Sequence, residues 1–155
     1  MSPHFKEERH WIEHALAAAK QSERDIPVGA CLVEDGKLIA TAHNLKEALH
    51  DPTAHAEIMV IRQACKARNH WRLNGTVLYT TLEPCPMCAE AILQCRIDKV
   101  VFGAYDLLSG ALGSAFNLYK AKRIYPAPEI LGGIMEEECA QLLKDFFRKP
   151  SGEKL

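Results

Sequence analysis

The sequence predicts a three-layer α/β domain, in which helices cover both faces of a central mixed sheet of about five strands. Short β-branched runs alternate along the chain with segments whose apolar residues recur at helical spacing. An Asp-Gly turn predicts an antiparallel hairpin early in the chain, and helix-length connections between the later strands predict parallel pairing. The 155 residues suit one domain, which we assign to residues 1–155 with a flexible tail over about residues 149–155.

The first third of the chain predicts one helix and the hairpin. Apolar residues lie on one face of a helix over residues 5–23, and a proline-containing turn ends it. Residues 28–33 and 37–43 are short apolar runs joined by Asp35-Gly36, so they form two antiparallel strands. A connecting loop follows over residues 45–52.

The central part of the chain predicts a helix, a strand and a second helix. Thr53 suits an N-cap, because its hydroxyl can accept an early backbone N–H, and the helix then covers residues 54–68. The β-branched run at residues 76–81 predicts a buried strand. Proline is tolerated at the first helical position, so the next helix begins at Pro86 and extends to about residue 94.

The last third of the chain predicts two more strands and two more helices. Residues 99–103 form the fourth strand, and residues 130–131 form the fifth, just before a pair of glycines. A short helix covers about residues 116–121. Residues 136–147 form the last helix, with their apolar side chains on one side.

The residues that carry chemistry lie in the first turns of the two central helices. One turn holds His55 and Glu57, and the other holds Cys85 and Cys88 in Cys-x2-Cys spacing. Zinc takes nitrogen and sulfur ligands in a tetrahedron, and catalytic sites use three protein ligands with a fourth position open to water. We therefore predict one catalytic Zn²⁺ per chain on His55, Cys85 and Cys88, with Glu57 free to move protons. Water at such a site loses a proton near neutral pH and becomes a nucleophile.

The same cysteines allow other interpretations. A structural zinc site is one alternative, and it requires a fourth protein ligand, for which Cys95 is the candidate. A Cys-x2-Cys pair can also be two buried thiols without a metal. The four cysteines outside the motif lie among apolar neighbours and fit small core residues, namely Cys31, Cys65, Cys95 and Cys139.

Composition limits the partners and the location. The net charge is −1 and the isoelectric point is about 6.6, so the whole chain lacks the basic character of many nucleic-acid-binding domains. Any nucleic-acid contact must therefore use a local patch. Candidate cations are Lys120, Lys122, Arg123, Lys144, Arg148, Lys149 and Lys154. We find no apolar run of roughly 18 residues and no secretion signal, and expect no membrane span and a cytoplasmic location.

Several longer stretches resemble a known family. They are Ile26-Pro27-Val28-Gly29-Ala30, Asp51-Pro52-Thr53-Ala54-His55-Ala56-Glu57, Thr81-Leu82-Glu83-Pro84-Cys85, Gly103-Ala104-Tyr105-Asp106, Gly110-Ala111-Leu112-Gly113-Ser114 and Asp145-Phe146-Phe147-Arg148. Together they resemble the bacterial tRNA adenosine deaminases of the cytidine-deaminase-like superfamily. The zinc motif alone marks only the superfamily, whereas the stretches around Asp106 and Gly110 and the Phe-Phe pair point to the tRNA-acting branch.

The resemblance implies roles for further residues and for partners. The implied substrate contacts are Val28, Asn44, Ala56, Leu82, Pro84 and Asp106. Asn44 and the backbone of Ala56 would contact the flipped base, and Asp106 would contact the nearby ribose. The family acts as a homodimer that holds the anticodon stem-loop of a tRNA between protomers. Two positions depart from the common family pattern, because Leu45-Lys46 stands where Arg-Pro is frequent and Tyr105 stands where Arg is frequent.

We therefore expect hydrolytic deamination of adenosine to inosine at the wobble position of a tRNA anticodon. Such deaminases act on bases outside the stack, which an anticodon loop provides. A guanine or free-nucleoside deaminase is the nearest alternative, because it shares the fold, the metal and the mechanism. A free-cytidine deaminase is less expected, since that branch usually has Cys at the position of His55. A non-catalytic RNA-binding partner is a third alternative, which the intact Glu57 disfavours.

Overall fold

The computed structural model describes residues 3–149 and has a five-stranded mixed sheet at its centre. The strands are β1 (Gly29–Glu34), β2 (Lys37–His43), β3 (Thr76–Leu82), β4 (Lys99–Ala104) and β5 (Glu129–Leu131), arranged in the order β2-β1-β3-β4-β5. β1 pairs antiparallel with both β2 and β3, whereas β3–β4 and β4–β5 are parallel. The predicted fold class, hairpin and parallel half are therefore confirmed.

Helices cover both faces of this sheet. They are α1 (Pro3–Ala19), α2 (Lys46–Leu49), α3 (Ala56–Arg68), α4 (Pro86–Gln94) and α5 (Glu136–Arg148). Side chains alternate along β1, so Leu32 belongs to the buried cluster that includes residues of α3 and α4 on one face, and Val33 belongs to the cluster that includes residues of α1 and α5 on the other. Both clusters are apolar and buried, which makes the sheet the middle of three layers.

One close approach fixes the helix layer on the α1 side. A Cβ added to Gly29 would lie 2.0 Å from the backbone oxygen of Ala15 and 2.5 Å from the backbone nitrogen of Ala19. Only glycine therefore lets β1 and α1 approach so closely. No helix among residues 3–149 is long and apolar enough to cross a membrane.

The predicted N-cap of the third helix is wrong. The Thr53 backbone N–H and hydroxyl both donate to the Asp51 carboxylate, at 2.8 and 2.7 Å. Such a local turn competes with helix formation, so α3 begins only at Ala56 and His55 takes the N-cap position with extended backbone. This moves His55 from the predicted first turn of the helix to its N-cap.

Other boundaries also differ from the prediction. α1 ends at Ala19, because its last turn tightens through a bond from the Gln21 N–H to the Ala18 oxygen. The expected loop at residues 45–52 contains the short helix α2, and the expected helix at residues 116–121 is a single 3-10 turn. The predicted tail over about residues 149–155 lies, apart from Lys149, outside the described residues.

Candidate active site

Two helix entrances meet on one side of the sheet and bring the predicted metal ligands together. His55 is the N-cap of α3 and Cys85 is the N-cap of α4, just beyond the end of β3. Cys88 lies one turn into α4, on the same side as Cys85. His55 Nδ1 lies 3.6 Å from Cys85 Sγ and 3.5 Å from Cys88 Sγ, and the three ligand atoms all lie within 4.8 Å of one another.

These distances fit a tetrahedral zinc. With Zn–N of about 2.1 Å and Zn–S of about 2.3 Å, tetrahedral angles separate nitrogen from sulfur by about 3.6 Å. The two observed nitrogen–sulfur separations match this value, and the two sulfur atoms lie within 4.8 Å of each other, so the three atoms are placed to share one ion. Nitrogen and sulfur donors are also the ligand set that zinc prefers.

The described residues provide no fourth protein ligand beside His55, Cys85 and Cys88, which a structural zinc would need. Cys95 is the C-cap of α4, at the end of the helix opposite Cys85, and its Sγ contacts the Ile92 carbonyl oxygen at 3.5 Å. Within residues 3–149, His55, Cys85 and Cys88 form the only cluster of at least three potential ligands. Cys95, Cys31 and Cys139 are buried core thiols, and burial raises the pKa of each to about 12.

The two ligand thiols are electrostatically coupled. A hydrogen bond from Cys88 and another from His55 lower the pKa of Cys85 to about 4, although burial opposes the shift. The same Cys85–Cys88 bond and burial raise the pKa of Cys88. The hydrogen bond to Cys85 raises the pKa of His55 in turn. Two thiolates crowded beside each other need a cation to coexist, which a bound divalent metal supplies.

Glu57 lies in the first turn of α3 beside this cluster. Its side chain is 4% exposed and lines the same cavity as His55 and Cys85. Burial disfavours the charged carboxylate and raises the pKa of Glu57 to about 7, against a smaller opposing effect of His55. A carboxyl group with a pKa near the operating pH can both accept and release a proton.

A cavity of about 460 Å³ opens above the ligands and gathers most of the predicted substrate-contacting residues. Its lining includes Val28, Asn44, Leu82 and Asp106. This volume is in the range of small-molecule sites and is large enough for a nucleoside. The backbones of two other predicted contacts are hydrogen-bonded within the protein: the Ala56 N–H donates to Asn44 Oδ1 at 2.8 Å, and the Pro84 oxygen accepts the Ala111 N–H at 2.8 Å.

Asn44 braces the site from inside. Its side-chain oxygen accepts the first N–H of α3, from Ala56, and its side-chain nitrogen donates to the Ile26 carbonyl at 3.0 Å. Its own backbone N–H donates to Val28. The side chain is 8% exposed, so in this structure Asn44 mainly connects the end of β2 to the entrance of α3.

Several cavity residues were not singled out in the sequence. Glu83 follows β3 and is 2% exposed, and Phe146 reaches the cavity from the end of α5. Arg24 and Lys46 line the cavity mouth, where Asp25 accepts the Glu47 N–H. The sequence does contain a signal for Glu83, because it is a charged residue between a predicted buried strand and the Pro84-Cys85 pair. A carboxyl group buried at such a position needs hydrogen-bond donors around it. Phe146 lies on the apolar face predicted for the last helix, but no sequence pattern places it, Arg24 or Lys46 at this cavity, because these residues come from distant segments.

The candidate cations differ in availability. Arg123 donates to both Glu90 oxygens, at 2.6 and 2.8 Å, which neutralises its charge locally. Arg148 lies 3.8 Å from Asp145. Four of the five candidate lysines are exposed, namely Lys120, Lys122, Lys144 and Lys149. The fifth, Lys154, lies outside the described residues.

The fold and this site define a zinc-dependent deaminase. The model of the cytidine and deoxycytidylate deaminase zinc-binding region matches residues 5–104. The tRNA-specific adenosine deaminase of Bacillus subtilis is 47% identical over 141 residues, covering 90% of this chain and 88% of its own. This chain belongs to the cytidine and deoxycytidylate deaminase family, in the branch of the tRNA-specific adenosine deaminases.

Solved structures agree with this assignment. A structure from a study of A-to-I editing by tRNA:A34 deaminases at the wobble position has a TM-score of 0.83 and 43% identity. The match covers 86% of this chain and 98% of that one. A guanine deaminase from Bacillus subtilis has a TM-score of 0.62 and 28% identity, covering 97% of each chain. The tRNA-acting relative is therefore the more similar of the two in both sequence and structure.

Proposed function

We propose that this enzyme converts adenosine to inosine at the wobble position of a tRNA anticodon, by hydrolysis that consumes one water and releases ammonia. The observation that carries the proposal is the tetrahedral spacing of His55, Cys85 and Cys88 beside the buried carboxyl of Glu57. The similarity to tRNA-specific adenosine deaminases supports the choice of substrate.

The three ligands are proposed to hold one Zn²⁺, which when bound makes water acidic enough to act near neutral pH. Glu57 then moves the protons. It accepts one from the attacking water, delivers it to N1 of the adenine ring, and assists the departure of ammonia from C6. Burial suits this role, because it holds the pKa of Glu57 near neutrality.

Residues in and next to the cavity are proposed to hold the target nucleoside. Val28, Leu82 and Pro84 would form apolar walls around a base removed from the stack. Asp106 would accept a hydrogen bond from the ribose. The Asn44 amide already bonds to the Ala56 N–H and the Ile26 carbonyl. It would contact the base through its remaining hydrogen-bonding capacity.

A second copy of the chain is proposed to complete the RNA surface. The chain has a net charge of −1, so one copy has little overall attraction for a phosphate backbone. A homodimer would bring exposed lysines from two copies toward one anticodon stem-loop. A tRNA substrate would also suit a cytoplasmic enzyme. We propose separately that residues 1–155 form one domain.

The proposal is tested by ammonia release from four candidate substrates. These are an anticodon stem-loop with adenine at the wobble position, free guanine, free adenosine and free cytidine. We expect turnover on the stem-loop and none above background on the three small molecules. Glu57→Ala is the control, because it removes the proton-moving carboxyl and leaves the proposed zinc ligands in place.

The alternatives predict different outcomes. Turnover confined to guanine or a free nucleoside would reject the tRNA proposal and assign the protein to the small-molecule branch. Tight stem-loop binding without turnover, in protein that contains one zinc per chain, would instead favour a non-catalytic RNA-binding partner. Measuring RNA affinity at two salt concentrations in the same experiment separates charge-driven binding from specific binding.

A further inference from the structure

Glu83 is a buried carboxylate with four hydrogen bonds from a single loop. Its Oε1 accepts the Asp106 N–H at 3.2 Å and the Ser114 hydroxyl at 2.5 Å. Its Oε2 accepts the Leu112 N–H at 3.0 Å and the Ser114 N–H at 3.2 Å. Among the described residues no Lys, Arg or His forms an ion pair with it. This buried charge is therefore compensated by the loop itself.

The loop in question, residues 106–114, is called the rim loop here because it borders the cavity mouth. Asp106 Oδ1 accepts the N–H groups of Leu108 and Ser109, each at 3.1 Å, which curls the beginning of the loop. Leu107 and Leu108 are 78% and 88% exposed, so these two side chains contribute little burial to hold the loop in place. The loop is anchored by the hydrogen bonds to Glu83, by the Ala111 N–H, which donates to the Pro84 oxygen, and by the buried Ala111 side chain.

Glu83 also lies two residues before Cys85, at the end of β3. One side chain therefore joins the strand that leads into the zinc-binding helix to the loop that presents Asp106. We propose that Glu83 is a positioning residue, which holds the rim loop in the conformation that receives the RNA. The inference rests on the proposed function, because it assigns RNA binding to this loop. The loop borders the cavity proposed for the unstacked base and carries Asp106, the proposed ribose contact.

The chemistry at Glu83 requires a carboxylate rather than an amide. All four groups that meet its two oxygens are donors. Glutamine has nearly the same shape, but its NH₂ group would face at least one backbone N–H in either orientation. Glu83→Gln should therefore loosen the rim loop and leave a large part of the surrounding packing unchanged. If only a fraction of the molecules has the loop in its binding conformation, the apparent substrate affinity is the full affinity multiplied by that fraction.

Gly110 provides an independent perturbation of the same contact. A Cβ at this position would lie 2.4 Å from the Glu83 carboxyl carbon, 2.6 Å from its Oε1 and 2.5 Å from the Asp106 oxygen. Gly110→Ala must therefore displace the Glu83 carboxylate, the Asp106 backbone or both, and it leaves the chemistry of Glu83 unchanged. Ser114→Ala is the mildest variant, since it removes only the hydroxyl bond.

The experiment measures kcat and KM on the wobble-adenine stem-loop, zinc content, and backbone hydrogen exchange of the rim loop. For Glu83→Gln and Gly110→Ala we expect KM to rise by about 10- to 100-fold, which corresponds to losing one or two buried hydrogen bonds. We expect kcat to change by less than about threefold, zinc to remain at one per chain, and rim-loop exchange to accelerate by about tenfold or more. Ser114→Ala should shift KM and exchange in the same direction, but less.

The matched control is Glu34→Gln. It also removes a carboxylate that accepts a 2.6 Å bond, from Arg68, but it does so at the far end of β1. KM and rim-loop exchange should equal the wild-type values in this variant. If Glu83→Gln does not fold, Gly110→Ala and Ser114→Ala decide the question through the same measurements.

Two results would overturn the proposal. One is rim-loop exchange and KM at wild-type values in folded Glu83→Gln or Ser114→Ala. The other is loss of zinc or of kcat with KM unchanged, which would make Glu83 a support for the metal site instead. Absence of wild-type turnover would reject the proposed function alone, since hydrogen exchange and RNA affinity still report whether Glu83 positions the loop.

Discussion

Replacing Asn44 by alanine separates two possible roles of this side chain. In the structure its oxygen accepts the first N–H of α3 and its nitrogen donates to the Ile26 carbonyl. The residue before that N–H is His55, the proposed nitrogen ligand of zinc. Asn44→Ala leaves the Ala56 N–H and the Ile26 carbonyl without these partners. We therefore expect the variant to lose both folding stability and zinc affinity.

The magnitude follows from the two lost bonds. A buried donor or acceptor left without a partner costs about 1–3 kcal/mol. Asn44 borders the cavity, where water can reach part of the site, so we expect a combined loss of about 2–4 kcal/mol. Mutating a residue that orients a metal ligand typically lowers metal affinity by about 10- to 100-fold. We expect a decrease in zinc affinity of that size.

Urea unfolding of zinc-loaded protein measures the first effect, and competition with a chelator of known affinity measures the second. Asn44→Asp is the matched variant, because it keeps an oxygen for the Ala56 N–H and loses the donor to Ile26. It should retain more of the zinc affinity than Asn44→Ala. Wild-type stability and zinc affinity in Asn44→Ala, together with weaker RNA binding, would refute this reasoning and show that the amide acts on the base instead.

Four further outcomes are expected. Glu57→Ala should keep one zinc per chain and lose about 10²- to 10⁴-fold in kcat, and near wild-type turnover would contradict its role. Cys88→Ala should lose tightly bound zinc, as metal analysis after gel filtration would detect. Asp106→Ala should weaken action on the stem-loop with zinc unchanged, and equal kinetics would count against a ribose contact. Gly29→Ala should lose about 3 kcal/mol in urea unfolding, because its Cβ meets the Ala15 backbone; an unchanged midpoint would contradict the close approach.

Much of the site could be predicted from the sequence because its signals are local. Cys-x2-Cys spacing at a helix entrance puts Cys85 and Cys88 one turn apart in any such helix. A catalytic zinc needs a third protein ligand, and histidine is a usual one, which indicates His55. The fourth coordination position of the ion then stays open for water. The hairpin was equally local, since Asp35-Gly36 accepts the backbone conformation that the turn needs: both residues have positive φ in the structure.

The tertiary structure alone decided how these pieces are held. The Thr53 N–H and hydroxyl both donate to the Asp51 carboxylate instead of capping a helix, so α3 starts only at Ala56. The resemblance implies a base contact for Asn44, but folding also brings its side chain against the start of α3.

Glu83 shows the same limit most clearly. Its partners lie 23 to 31 residues further along the chain, and no periodicity or spacing rule connects them. Residue types and short spacings determined the metal, its proposed ligands and the class of chemistry. The supports of the site depend on which distant backbone groups a buried polar side chain meets, and only the packed sheet, helices and rim loop determine that.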